Sequence, residues 1–139
     1  MIHVMGIYYQ GTAYTLKENE NSEIDWGSFH KYAGYSTLLL AGATAVSSSN
    51  RYTHYGLAYS TVGMAMATLW SGIYEYSDRF DLDEGITSED NLHIILGIIG
   101  TLACLTAVAI ADSGKNARHG GIGGTGAGTM VFSFFVIKW

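Results

Sequence analysis

The sequence contains no proline, a single cysteine and few charged side chains, and each shortage narrows the classes of protein that it can encode. The lone Cys104 excludes an intramolecular disulfide. Seven basic residues against twelve acidic ones give a net charge of −5, whereas a nucleic-acid-binding protein needs a basic surface. The 139 residues fit one domain of roughly 100–200 residues, so we expect no multidomain enzyme and no nucleic-acid partner.

The charged residues are crowded into short stretches, so the low mean hydropathy of +0.17 hides long uncharged runs. The runs of 19, 23, 21 and 19 residues cover 32–50, 52–74, 91–111 and 119–137. A helix rises about 1.5 Å per residue, so each run is long enough to cross the roughly 30 Å of bilayer hydrocarbon. The sequence therefore predicts an all-α fold, an integral membrane four-helix bundle with up-down-up-down topology. The alternative is a soluble bundle, but its helices would need charged outer faces.

The chain divides into a polar and aromatic tail, residues 1–27, and a four-helix core, residues 28–139. The first, second and fourth predicted helices cover about 28–48, 51–76 and 117–139, and the third follows the acidic loop and ends near Ala111. We expect a tight turn at Ser49 and Asn50, an acidic loop over 77–90 and a second turn over 112–116. Thr87 or Ser88 is expected to cap the third helix.

Four of the five histidines lie in the first turns of the four predicted helices, one in each helix. They are His30, His54, His93 and His119. In an up-down-up-down bundle, the first and third helices begin at one membrane face, and the second and fourth begin at the other. His30 should therefore pair with His93, and His54 with His119. His3 precedes the helices and is expected at the surface.

Paired imidazoles inside a bilayer favour a bound haem, because axial coordination removes the cost of leaving a polar group unpaired in hydrocarbon. A small residue follows each histidine by one turn and would leave room for a flat ring. These small residues are Gly34, Ala58, Gly97 and Gly123. The chain has no Cys-x-x-Cys-His motif, so the prediction is two non-covalent haem b groups with two histidine ligands each. Filled axial positions favour electron transfer over oxygen chemistry.

Basic residues flank the histidines and are expected to attract the carboxylates of haem. The residues predicted for this role are Lys31, Arg51 and Arg118. The turns at 49–50 and 112–116 have a high density of positive charge, because Arg51, Lys115 and Arg118 lie in or beside them. This density favours a cytoplasmic location for the two turns.

Other functions fit some of the same residues. A haem-free membrane scaffold or small transporter could use the histidines for protons or divalent metal, and a structural subunit of a respiratory complex could also carry haem. The run 121–126 satisfies G-x-G-x-x-G, but no strand precedes it, so we reject a dinucleotide site. Gly120, Gly124 and Gly128 instead form a close-packing helix face. Met64, Met66 and Met130 are expected to pack rather than to ligate iron.

The chain resembles the cytochrome b561 family, and the likeness covers residues 28–139. Residues 92–97, Leu-His-Ile-Ile-Leu-Gly, are similar to the family's L-H-x-x-L-G stretch. Arg118 and His119, followed by Gly123, resemble its final ligand helix. His30-x-x-x-Gly34 and Arg51-x-x-His54 agree more loosely. The resemblance implies a four-helix core with two b haems, ligated by the first and third helices and by the second and fourth.

The resemblance also implies a function and partners. A four-helix core without ascorbate-binding sequences is similar to membrane subunits that pass electrons between quinol and a partner protein. We therefore expect a multi-pass protein of a prokaryotic plasma membrane that contacts lipid and a quinone or a redox protein, such as a dehydrogenase subunit or a c-type cytochrome. The acidic loop is a candidate docking surface for a basic partner. Membership of an oligomer or a larger complex is also expected.

Overall fold

The computed structural model describes residues 24–112 and 116–137, and the side chains of residues 112 and 116–118 are not among the described atoms. Within these residues the fold is all-helical and contains no strand. The helices are α1 (Trp26–Val46), α2 (Arg51–Tyr76), α3 (Glu89–Asp112) and α4 (Asn116–Val136). The predicted all-α class with four helices is confirmed. Most of the predicted tail, His3, and the central part of the predicted 112–116 turn lie outside the described residues.

Side-chain caps set where the first three helices begin. Asp25 accepts a hydrogen bond from the Ser28 backbone N–H at 2.9 Å, so α1 begins two residues before the predicted position. Asn50 accepts from the N–H of Thr53 at 3.2 Å, and α2 covers the predicted 51–76. The Ser88 hydroxyl accepts from the N–H of Asn91 at 3.4 Å, as expected for a cap of α3.

The acidic loop between α2 and α3 is more ordered than the sequence predicts. Two short 3₁₀ turns, Ser77–Arg79 and Leu82–Glu84, occupy much of it. The side chain of Asn91 is fully buried and is hydrogen-bonded to the backbone of this loop. Its amide oxygen accepts from the Asp81 N–H at 3.0 Å, and its nitrogen donates to the carbonyls of Asp81 and Gly85. The turn at Gly85 has a φ of +84°, which favours glycine.

The four helices form two hairpins that are each tightly packed, α1 with α2 and α3 with α4, while contacts between the hairpins are sparse. In the first hairpin, hydroxyl groups meet across the interface in the pairs Thr37 with Thr68 and Thr44 with Thr61. In the second, the backbones of α3 and α4 approach closely at Gly126. A Cβ atom there would lie 2.9 Å from the carbonyl oxygen of Gly100. The hairpins therefore behave as the natural packing units of the fold.

A small core joins the two hairpins. Val62 and Ala65 of α2 pack with Cys104 of α3 and Met130 of α4. Met130 is 9% exposed, which agrees with the predicted packing role, whereas Met66 is 52% exposed on the outer surface. This core lies along the bundle between the two ends that carry the histidines.

Membrane-spanning character is strongest in α3. Among the described residues, the segment Glu89–Ala111 is long and apolar enough to cross a bilayer, and no other helix meets the same criterion. The other helices have lower hydropathy because glycine, serine, threonine and alanine replace much of the leucine and isoleucine. A bundle that spans the membrane four times therefore remains a prediction.

Candidate cofactor site

The four histidines lie in two facing pairs at opposite ends of the bundle. The rings of His30 on α1 and His93 on α3 have centroids 6.1 Å apart and an interplanar angle of 73°. The rings of His54 on α2 and His119 on α4 have centroids 5.6 Å apart and are almost perpendicular, at 89°. Each pair joins one helix of the first hairpin to one helix of the second. The pairs are those expected from the topology.

Every one of these rings is held by a backbone carbonyl of the other helix in its own hairpin. The acceptors and their distances from Nδ1 are Thr68 for His30 (2.8 Å), Thr44 for His54 (2.9 Å), Ser133 for His93 (2.9 Å) and Ala107 for His119 (3.2 Å). A carbonyl oxygen can only accept, so Nδ1 of each neutral ring carries the proton and Nε2 carries the lone pair. Metal-ligating histidines commonly make this bond, because it fixes the tautomer and the orientation of the ring.

The four bonds follow one spacing. Each helix contains a histidine and, 14 residues further along, the carbonyl that holds the histidine of its hairpin partner. Fourteen residues are just under four helical turns, so both groups lie on nearly the same helix face. They also span about 21 Å along the axis. Because the helices of a hairpin are antiparallel, the two histidine pairs are separated by about that length.

Sequence reasoning identifies the histidines but misses the groups that hold them. Three of the four acceptor positions are hydroxyl residues, Thr44, Thr68 and Ser133, while the fourth is Ala107. The 14-residue spacing is present in the sequence, yet any residue type supplies a carbonyl. The residue types at these positions therefore do not predict the hydrogen bonds between histidine Nδ1 and the backbone carbonyls.

Two serine hydroxyls add to the contacts at the His30 and His93 end. Ser133 Oγ lies 3.1 Å from His93 Nδ1 and donates to the His93 carbonyl at 2.9 Å. The fully buried Ser71 donates to the Thr68 carbonyl at 2.9 Å and lies 3.4 Å from His30 Nδ1. Gly72 also belongs to this site, although nothing in the sequence marks it. A Cβ atom there would lie 2.7 Å from Cε1 of His30, so the ring rests on the bare backbone of α2.

A cavity of about 670 Å³ lies between the hairpins at the His30 and His93 end. This volume is within the usual range of small-molecule and cofactor sites. Gly34 and Gly97, predicted to leave room for a ring, both line it. Their nearest neighbours are the Thr68 methyl group, 3.7 Å from an added Cβ, and the Ser133 hydroxyl, at 3.9 Å. The surface of the cavity is mostly apolar; the apolar residues that line it include Leu38, Ala65, Ile94, Ile98, Met130 and Phe134.

These residues fit a flat, apolar group that takes two imidazole ligands. Metal–imidazole bonds of about 2.0–2.1 Å place two opposed nitrogens about 4 Å apart. The Nε2 atoms of His54 and His119 are 3.4 Å apart, so they would have to move about 0.6–0.8 Å further apart to hold a metal between them. Within the described residues, no group of three or more His, Cys, Asp or Glu side chains could hold one metal ion. The donor set is therefore two imidazoles at each end.

The remaining predicted site residues are distributed unevenly. Ala58 is buried on α2, and an added Cβ at Gly123 would meet the Ala107 methyl group at 3.4 Å, within the second hairpin. Room for a ring at the His54 and His119 end therefore stays a prediction. Lys31 lines the cavity, whereas the Arg51 guanidinium lies 5.4 Å from the Tyr55 ring centroid on the surface. The side chain of Arg118 lies outside the described atoms.

Comparison with known proteins identifies no relative of this chain. No family model matches the chain, and neither a curated protein nor a solved structure matches it.

Proposed function

We propose that this protein is a membrane-embedded dihaem b cytochrome that transfers electrons between the two faces of the bilayer. His30 and His93 are the axial ligands of one haem, and His54 and His119 are those of the other. The observation that carries the proposal is the set of four Nδ1–carbonyl bonds, which leave the Nε2 lone pair of each ring available in two facing pairs of imidazoles. A histidine that served only as a structural donor would need no facing imidazole.

The chain's own residues define what chemistry the site permits. Haem b supplies a one-electron couple when it is bound. The two imidazoles at each end would hold a haem iron from both sides, which would leave no coordination position open for oxygen or substrate. The apolar part of the cavity lining would shield a porphyrin bound at the His30 and His93 end from water. The 14-residue spacing holds the two ends about 21 Å apart, centre to centre, with ring edges closer than that.

The outer surface supports insertion into a bilayer. Large apolar side chains point outwards from all four helices; examples are Leu39, Trp70, Leu102 and Phe135, which are 76%, 67%, 54% and 75% exposed. The exposed hydroxyl groups of Ser60, Thr106, Thr125 and Thr129 each donate to the carbonyl four residues earlier in the same helix. These hydroxyls would therefore reach the lipid already hydrogen-bonded, which removes most of the cost of exposing them to hydrocarbon.

The proposal extends to partners through the likeness to the cytochrome b561 family. A quinol on one side and a redox protein on the other are the proposed donor and acceptor, in either direction. The acidic loop between α2 and α3 presents Asp78, Asp83 and Glu84 next to the His30 and His93 end, where a basic electron-transfer protein would dock.

A visible spectrum of the detergent-purified chain, reduced minus oxidised, tests the proposal together with a pyridine haemochrome assay. We expect two haem b groups per chain and a sharp low-spin α-band. Absence of haem after expression with added haem precursor would contradict the proposal.

The short distance between His54 and His119 also supports a second candidate function, the binding or relay of protons. The 3.4 Å separation between the Nε2 atoms of His54 and His119 allows the two imidazoles to share a proton. A haem-free scaffold or small transporter could use such a pair to bind or relay protons. The same spectrum separates the two functions, because a proton-relay protein would carry no visible absorption band.

A further inference from the structure

The cavity at the His30 and His93 end is apolar along its middle and becomes polar where it meets the α2–α3 loop. Seven residues line this end: Lys31, Tyr76, Ser77, Arg79, Phe80, Glu89 and Asp90. Of the three basic side chains that the structure describes, two lie here, Lys31 and Arg79. The end of the cavity nearest the loop is therefore suited to an anionic group.

Arg79 is held in place by aromatic packing. Its guanidinium carbon lies 4.8 Å from the centroid of the Tyr76 ring, and that ring packs edge-on against His30 with centroids 5.6 Å apart. The stacked face of the guanidinium uses none of its N–H groups, so its edge can bind a planar carboxylate through two hydrogen bonds. The Tyr76 ring therefore lies between the Arg79 guanidinium and the candidate iron ligand His30.

The loop that carries Arg79 is also fixed. Asn91 binds the backbone of Asp81 and Gly85, a few residues beyond Arg79, and is itself fully buried. A cation presented by a fixed loop loses little conformational freedom when it binds a ligand.

Two acidic residues, Glu89 and Asp90, also line this end of the cavity, and the start of α3 accounts for their position. Glu89 and Asp90 occupy the first turn of α3. Carboxylates are stabilised there by the helix dipole whether or not a ligand is present.

We propose that Arg79 binds a carboxylate of the ligand held between His30 and His93. The inference rests on the proposed function, because a porphyrin that carries carboxylates on one edge combines an apolar disc with an anionic rim. It also orients that ligand, with the carboxylate edge towards residues 77–80 and the opposite edge towards the centre of the bundle. The sequence gives no signal for Arg79, because its nearest histidine in the chain, His93, lies 14 residues away.

The test compares haemin with its dimethyl ester, in which both carboxylates are masked. Haem-free protein is titrated with each compound and binding is followed by the Soret band, with two equivalents expected for the wild type. Arg79→Gln should weaken one of the two haemin sites about tenfold and leave the affinity for the ester unchanged. Arg79→Lys, which keeps the charge without the planar fork, should show a smaller loss.

Glu84→Gln is the matched control, because Glu84 is an exposed charged residue of the same loop that does not line the cavity. It should bind both compounds as the wild type does. Equal losses for haemin and ester in Arg79→Gln, or no loss for either, would overturn the role of Arg79 and leave the proposed function standing. Failure of the wild type to bind either compound would overturn both.

Discussion

At the scale of single residues, the strongest feature is that four histidines have the same hydrogen-bonding arrangement. Each ring donates a hydrogen bond from Nδ1 to a backbone carbonyl of the neighbouring helix, which leaves Nε2 with its lone pair. The pairing could be predicted, because one histidine near the start of each helix leaves little choice in an antiparallel bundle. The carbonyl acceptors and Gly72 could not, because close backbone approach depends on how the helices pack.

Replacement of any one of the four histidines by alanine should remove or destabilise one haem and leave the other in place. The reason is that an iron with a single protein ligand loses half of its axial coordination. The haem-to-chain ratio from a haemochrome assay measures this directly, with His3→Ala as the matched control. Retention of two haems in all four variants would contradict the assigned pairs.

The Ser133 hydroxyl provides a finer test at the same scale. Ser133→Ala removes an acceptor 3.1 Å from His93 Nδ1, which should make the imidazole a weaker donor to ferric iron. We expect both haems to be retained and one midpoint potential to rise by about 20–60 mV, the equivalent of one hydrogen bond. Ser60→Ala is the control, since the Ser60 hydroxyl binds only within its own helix. Unchanged potentials in Ser133→Ala would show that the hydroxyl does not act on the ring.

At the scale of helices, the lengths of the uncharged runs give the four elements correctly, and the bounds of α2 agree with the prediction. The turns in the acidic loop are less predictable, because the buried Asn91 that orders them lies in the next helix. The glycines of α4 also differ in how closely they pack against α3, and the spacing of glycines in the sequence does not predict which of them is packed. The predicted close-packing face of Gly120, Gly124 and Gly128 is wrong within the chain, because an added Cβ at each would meet no atom within 4 Å, whereas one at Gly126 would meet the backbone of α3.

This difference gives a paired prediction on one helix. Gly126→Ala would place a Cβ atom 2.9 Å from the Cys104 nitrogen and the Gly100 oxygen, forcing α3 and α4 apart. We expect a loss of about 1–3 kcal/mol in the free energy of unfolding. Gly124→Ala meets no atom within 4 Å and should stabilise the helix by up to about 1 kcal/mol. Thermal melts in detergent measure both variants, and equal stabilities would contradict the close approach at Gly126.

At the scale of the whole molecule, two well-packed hairpins meet through a small core and through the histidine pairs. Each proposed haem would take one ligand from each hairpin, so its binding would join the two hairpins. The arrangement accounts for a cavity between hairpins rather than within one. The sequence indicates the hairpins through its turns, but the space between them depends on tertiary packing.

Haem should therefore stabilise the assembled bundle against separation of its hairpins. Ligands that bind only the native state add about 2.7 kcal/mol at a hundredfold excess over Kd. We expect haem-loaded protein to melt at a higher temperature than haem-free protein, while metal-free protoporphyrin, which lacks iron, should have a smaller effect. Identical melting temperatures with and without haem would contradict a ligand that bridges the hairpins.

The haem content and visible spectrum of the purified chain decide whether this bundle is a dihaem cytochrome. Two haem b groups per chain, with the low-spin α-band of iron bound by two imidazoles, are the predicted result. A chain that folds in detergent, with intact helices, yet binds no haem when haem is supplied would contradict the account.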